Sequence, residues 1–168
     1  MTDREAWDYR GVLVVRRGVP ADADRCVAIV RGLPEYFTED VGGKVAGLMG
    51  THPAWVVMDG GDVVGFAIVE HRSAGAAEIL WIAVAAALRG GGAGTMLLDR
   101  VLGDLGAGGC RVVEVKTLDA SAEYEPYIAT RAFWERRGFV HVDTIDPLPG
   151  WQAGNPAAIY IAALACTR

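Results

Sequence analysis

The chain has 168 residues, 52% of them apolar and 22% charged, with a formal net charge of −5. Those values suit one domain with a single sizeable core spanning residues 1–168, and the acidic balance argues against a nucleic-acid partner. The longest apolar run, residues 79–88, is too short to span a bilayer; residues 1–10 lack a signal-peptide core; and Cys26, Cys110 and Cys166 are too few and too scattered for a disulfide framework or a metal site.

In chain order, residues 12–16 read as a first strand. Pro20-Ala-Asp-Ala-Asp24 opens a helix with acidic residues in its first turn, and Cys26, Val27, Ile29 and Val30 give it an apolar face. A weaker helix is expected over residues 38–49, where Gly42, Gly43 and Gly47 lower the propensity. Residues 54–58 and 63–71 form a hairpin about Asp59-Gly-Gly-Asp62. Residues 76–84 are the fourth strand. A helix over residues 93–105 buries Leu97, Leu98, Val101, Leu102 and Leu105. Residues 112–117 form the fifth strand. Pro126 opens a helix that Gly138 stops, and residues 139–144 and 158–164 close the sheet. The pattern predicts an α/β fold with a mixed, mostly antiparallel central sheet of about seven strands and about four flanking helices. The strand–helix–strand unit over residues 76–117 requires a parallel crossover, and a split there opens a ligand cleft at the strand ends.

That unit carries the chemistry. Between the apolar strand and its helix lies Arg89-Gly90-Gly91-Gly92-Ala93-Gly94-Thr95. A strand, a glycine turn and a helix N-terminus in this order present unpaired backbone N–H groups and the positive dipole end to an anion. The glycines admit a phosphate closely, and Arg89 adds a permanent charge. No lysine follows the turn, so it is not a Walker loop, and neither register of its glycines completes a dinucleotide fingerprint.

What fits is Arg-x-x-Gly-x-Gly, five residues after Val84. This resembles the coenzyme A pyrophosphate loop of the GNAT superfamily of acyl-CoA-dependent N-acyltransferases. Downstream, Thr130-Arg-Ala-Phe-Trp-Glu-Arg-Arg-Gly-Phe139 is similar to the helix-to-strand segment of these enzymes, which usually ends Tyr-x-x-x-Gly-Phe. The resemblance covers nearly the whole chain. It implies a bulged fourth strand splayed from the fifth, with the pantetheine arm on the backbone of Ile82, Ala83 and Val84. It also places the pyrophosphate on the N–H groups of residues 89–95. Acetyl-CoA is the expected donor, and no metal is required.

Attack on a thioester needs a neutral amine, hence a base. Glu78 is the candidate. It starts the fourth strand, partly buried by Ile79, Leu80 and Trp81, and the two-residue period puts it on the same face as Ile82. Some superfamily members use a glutamate in a similar run. The family's usual acid for the leaving thiolate is the tyrosine of Tyr-x-x-x-Gly-Phe. Here Trp134 stands there, and an indole donates a hydrogen bond but releases no proton at ordinary pH. Tyr127, two helical turns earlier, is the substitute acid, with Tyr124 a further option. Trp134 is expected at the coenzyme and Phe133 in the core.

The acceptor site is expected from residues 32–53, from the acidic loop of Asp119, Glu123 and Glu125, and from the proline-rich segment holding Trp151, as lid, platform or anchor. His52, His71 and His141 have no catalytic or metal spacing. These readings converge on a cytoplasmic N-acetyltransferase acting on a primary amine of a small molecule. A peptide or protein amine is the alternative acceptor. A non-catalytic acyl-CoA-binding module is the alternative function, and the missing tyrosine keeps it open. A homodimer is common in such folds, although no residue marks an interface.

Overall fold

The computed structural model describes residues 12–165; the polar stretch 1–10 and Cys166 lie outside the described residues. Seven strands run in chain order as β1 (Leu13–Arg17), β2 (Ala54–Asp59), β3 (Asp62–Ser73), β4 (Ala76–Val84), β5 (Val112–Leu118), β6 (Val140–Ile145) and β7 (Ala157–Ala163). Four helices connect them: α1 (Ala23–Arg31), α2 (Val41–Leu48), α3 (Ala93–Ala107) and α4 (Pro126–Arg136). The sheet order is β1-β2-β3-β4-β5-β7-β6, antiparallel throughout except for β4 and β5. This is the expected mixed sheet. Boundaries move by a few residues, most at α2, which starts at Val41 rather than 38.

Two cores follow from the strand alternation. On one face α3 and α4 bury Leu97, Leu98, Val101, Leu105 and Trp134 against Ala77, Ile79, Val113 and Val115. On the other, Cys26, Ile29, Val30, Val41 and Val45 from α1 and α2 cover Val56, Phe66, Ile68 and Ala83. No helix among the described residues is long and apolar enough to cross a membrane.

The sheet parts between β4 and β5. The two strands pair only from Ala76–Val112 to Ile79–Val115. The split begins where β4 bulges: Val69 faces Ile79 and Ile68 faces Trp81, so Leu80 is the extra residue. An inserted residue reverses the facing of everything beyond it. Ile79, Ile82 and Val84 therefore pack on the α3 side, while Trp81 and Ala83 pack on the α1 side. The expectation that Glu78 and Ile82 share a face is thereby corrected, because strict two-residue alternation fails at Leu80.

Close approach of β3 supports the splayed segment. A Cβ on Gly65 would lie 2.8 Å from Val57 Cγ1 and 2.9 Å from the Ala83 carbonyl oxygen. Gly47 in α2 has nothing within 4 Å of such a Cβ. The two glycines should respond in opposite directions. Gly65→Ala should cost ~1–3 kcal/mol through overpacking, and Gly47→Ala should add ~0.5–1 kcal/mol by helix propensity. Urea unfolding of both variants checks the pair; an unchanged midpoint for Gly65→Ala would show that β4 is not held by that contact.

Candidate active site

The gap between β4 and β5 opens into one cleft with two arms. The first, about 630 Å³, runs from Glu78 and Lys116 past Trp81 to Phe37 and Trp151. The second, about 490 Å³, runs along Ala83 and Val84 to the glycine loop and Arg137. Tyr36, Ile82, Arg89, Thr130 and Trp134 line both, so the arms meet at the splayed part of β4.

In the second arm the loop adopts the conformation that its glycines permit. Gly90 (φ 76°) and Gly92 (φ 89°) are left-handed, a region side chains rarely enter, and Gly92 caps α3. The amides of Arg89 and Gly91 turn inward, to the carbonyls of Ala86 and Leu88 (both 3.3 Å). Gly91 does not line the arm, and the Ala93 side chain is buried beneath the loop. The expected run of seven donors is therefore shorter. Gly90, Gly92, Ala93, Gly94 and Thr95 have no protein acceptor for their amides among the described residues. These groups, at a helix N-terminus, can hold a diphosphate.

Sequence reasoning missed Arg137, the C-cap of α4. It donates to Thr95 Oγ1, lies 5.5 Å from the Phe133 ring centroid, and has a buried Nε with no partner. Phe133, expected in the core, is half-buried and lines this arm; Trp134, 2% exposed, is the one locked into the core, edge-on to Phe133 and Phe139. The doubled arginine before Gly138 was the available signal. Arg89 rests its guanidinium 4.2 Å above the Tyr36 ring, a cation–π contact worth ~0.5–1 kcal/mol where exposed.

In the first arm Glu78 is 5% exposed. It is not isolated among apolar groups as its neighbours in sequence suggested. Lys116 Nζ donates to Oε1 at 2.6 Å, and Arg72 donates to Oε2 through Nε at 2.8 Å and through a second nitrogen. Lys116 also bridges to Glu114, 2.6 Å, and Arg72 to Glu70, 2.7 Å. Burial would push the Lys116 ammonium's pKa down, but its hydrogen bonds to Glu114 and Glu78 outweigh this and raise it. Across the gap Thr117 Oγ1 is buried without a partner. None of these partners could be assigned from sequence, because they come from β3 and β5.

Tyr127 lines the first arm, but its hydroxyl is donated to the Tyr36 carbonyl at 3.0 Å, and burial, with Tyr124 and Tyr36 adding, pushes its pKa up to about 12. That makes it a poor proton source at neutral pH. Tyr124 donates to the Glu35 carbonyl at 2.9 Å and Tyr36 to the Pro126 carbonyl at 3.1 Å. The three tyrosines strap the segment after α1 to the start of α4. Asp119, Glu123 and Glu125 do not line the cleft; Asp119 is engaged by Ser121 and Thr144. The proline-rich loop does line it, through Gly150, Trp151, Gln152 and Asn155. The three histidines lie outside both arms, and no group fit to hold a metal ion occurs among the described residues.

A family model, the acetyltransferase (GNAT) domain, matches residues 50–141, more than half of the chain. The chain belongs to the GNAT acetyltransferases. A protein of Desulfovibrio desulfuricans assigned to this family is 25% identical, with a TM-score of 0.79, over 92% of this chain and 100% of that one. The ribosomal-protein-S18-alanine N-acetyltransferase of Escherichia coli shares the fold at 18% identity and a TM-score of 0.75, over 94% and 97% of the two chains. An aminoglycoside 6′-N-acetyltransferase complexed with coenzyme A does so at 18% and 0.70, over 90% and 97%. No curated protein matches the sequence. GNAT enzymes use acetyl-CoA, and the five unpaired amides, with Arg89 and Arg137 lining the same arm, fit its phosphates.

Arg137→Ala is expected to weaken coenzyme A binding about 10–100-fold, or ~1–3 kcal/mol, the cost of losing a charged hydrogen bond. Calorimetry checks this, and a change under twofold would leave Arg137 a purely structural cap.

Proposed function

We propose that this protein transfers an acetyl group from acetyl-CoA to a primary amine of a small molecule, by direct attack with both substrates in the cleft. The observation that carries this reading is the continuity of the cleft: a buried carboxylate faces one arm and an unpaired amide loop closes the other. Gly90, Gly92, Ala93, Gly94 and Thr95 hold the diphosphate through their amides, with Arg89 beside them. The open edge of β4 at Ile82, Ala83 and Val84 takes the pantetheine arm, and Trp134 walls the junction. Bound acetyl-CoA supplies an activated acyl thioester.

Glu78 takes the proton of the acceptor ammonium. As the nitrogen–carbon bond forms the carbon–sulfur bond breaks, the electron pair leaves with sulfur, and the nitrogen gives up its second proton to water. Tyr127 orders the strap: its one O–H is committed to the Tyr36 carbonyl, and its pKa is pushed up to about 12. Water protonates the thiolate. No strong acid is required, because a thiolate is a far better leaving group than an amide nitrogen.

Kinetics separate these roles. Glu78→Gln should lower kcat about 10²–10⁴-fold, the range for a positioned base, with coenzyme affinity retained. A protein that binds acetyl-CoA but turns over no amine, or that ignores Glu78→Gln, is a binding module instead. Tyr127→Phe should cost less than about tenfold in kcat and ~1 kcal/mol in stability; a hundredfold loss would restore it as the acid.

A further inference from the structure

Resting on the amine-acetyltransferase reading above, we propose that the acceptor is a monoamine with an aromatic body, of the arylalkylamine type, and not a polycation. The amine sits at Glu78 and the ring lies between Trp81 and Trp151.

Charge excludes the polycation. Two carboxylates line the acceptor arm, Glu78 and Asp40. Both are already matched. Glu78 is held by Lys116 and Arg72, and Asp40 by Lys44 at 2.6 Å and by the Thr38 hydroxyl. Lys44, Lys116 and Arg89 all line the same arm, so its own cations outnumber its carboxylates. The acidic loop that could have met further ammonium groups faces elsewhere. A single ammonium exchanges contacts at Glu78; a second or third finds no unmatched carboxylate and meets two lysines.

Aromatic surface selects the body. Trp81 is half-buried with Phe37 packed edge-on at 6.0 Å, which fixes one wall. Trp151 lines the same arm from the proline-rich loop. It is only half-buried, packs in neither core and pairs with no described aromatic ring, yet it lines the cleft. Of its candidate roles, that leaves anchoring unsupported and favours a platform. Two indoles lining an arm of about 630 Å³ suit a planar apolar body of one or two rings.

The test is release of coenzyme A thiol with four amines: 2-phenylethylamine, tryptamine, spermidine and kanamycin. The aromatic amines should exceed the polycations in kcat/KM by at least about tenfold, a difference of ~1.4 kcal/mol. Trp151→Ala should raise KM for tryptamine about tenfold and leave acetyl-CoA affinity, read by calorimetry, unchanged. Lys44→Glu frees Asp40 and reverses one charge at an exposed position, and should raise kcat/KM for spermidine about tenfold. A wild-type preference for spermidine or kanamycin, or an unmoved KM in Trp151→Ala, overturns the proposal while leaving amine acetylation intact. Acetyl-CoA binding without thiol release by any of the four, nor by a wider panel of amines including peptides, overturns amine acetylation and this proposal together.

Discussion

The site depends on one constraint: β4 and β5 cannot stay paired past Ile79 and Val115. A parallel pair that continued would satisfy its own backbone and leave no cleft. The extra residue at Leu80 turns β4 out of register with β3 at the same point, and Gly65 lets β3 follow it closely enough to keep the outer edge bonded. The inner edge keeps backbone groups that no strand satisfies, and buried polar groups of that kind are costly unless something pairs with them. An extended ligand chain fills that need, so the fold's least satisfied region is also its binding region.

Electrostatics tie the base of the split together. Glu78 and Glu114 are partners across the last paired rungs, an arrangement that places like charges opposite each other. Lys116, two residues further along β5, reaches both. The same ammonium that reconciles the two strands also pairs with the buried carboxylate at the mouth of the gap. Structure and chemistry share one set of ion pairs there, so a change at Lys116 acts on both.

The two arms are coupled mechanically as well. Tyr36, Tyr124 and Tyr127 spend their hydroxyls on backbone carbonyls, tying the segment after α1 to the N-terminus of α4. Arg89 of the phosphate loop rests on Tyr36. The acceptor wall and the donor loop thus touch at Tyr36, one of the five residues that line both arms.

Much of this was legible in the chain. Period-two and period-3.6 apolar patterns are local, so strands and helices could be placed to within a few residues. Gly90 and Gly92 marked the phosphate loop because few other residues permit that turn against a helix N-terminus. The resemblance to the family model rests on the same local signals. What could not be read depended on contacts between distant segments. The partners of Glu78 come from β3 and β5, and Trp151 reaches the cleft from a loop some seventy residues away in sequence. The bulge at Leu80 defeats any fixed period, Phe133 lines the cleft as well as packing on the core, and the acidic loop turns away to Thr144. Propensity and periodicity act within a turn or a strand, so the chain wrote its own elements and its anion loop. Charge pairing and cavity shape act across space, so the electrostatics of Glu78 and the character of the acceptor arm arose when those elements packed.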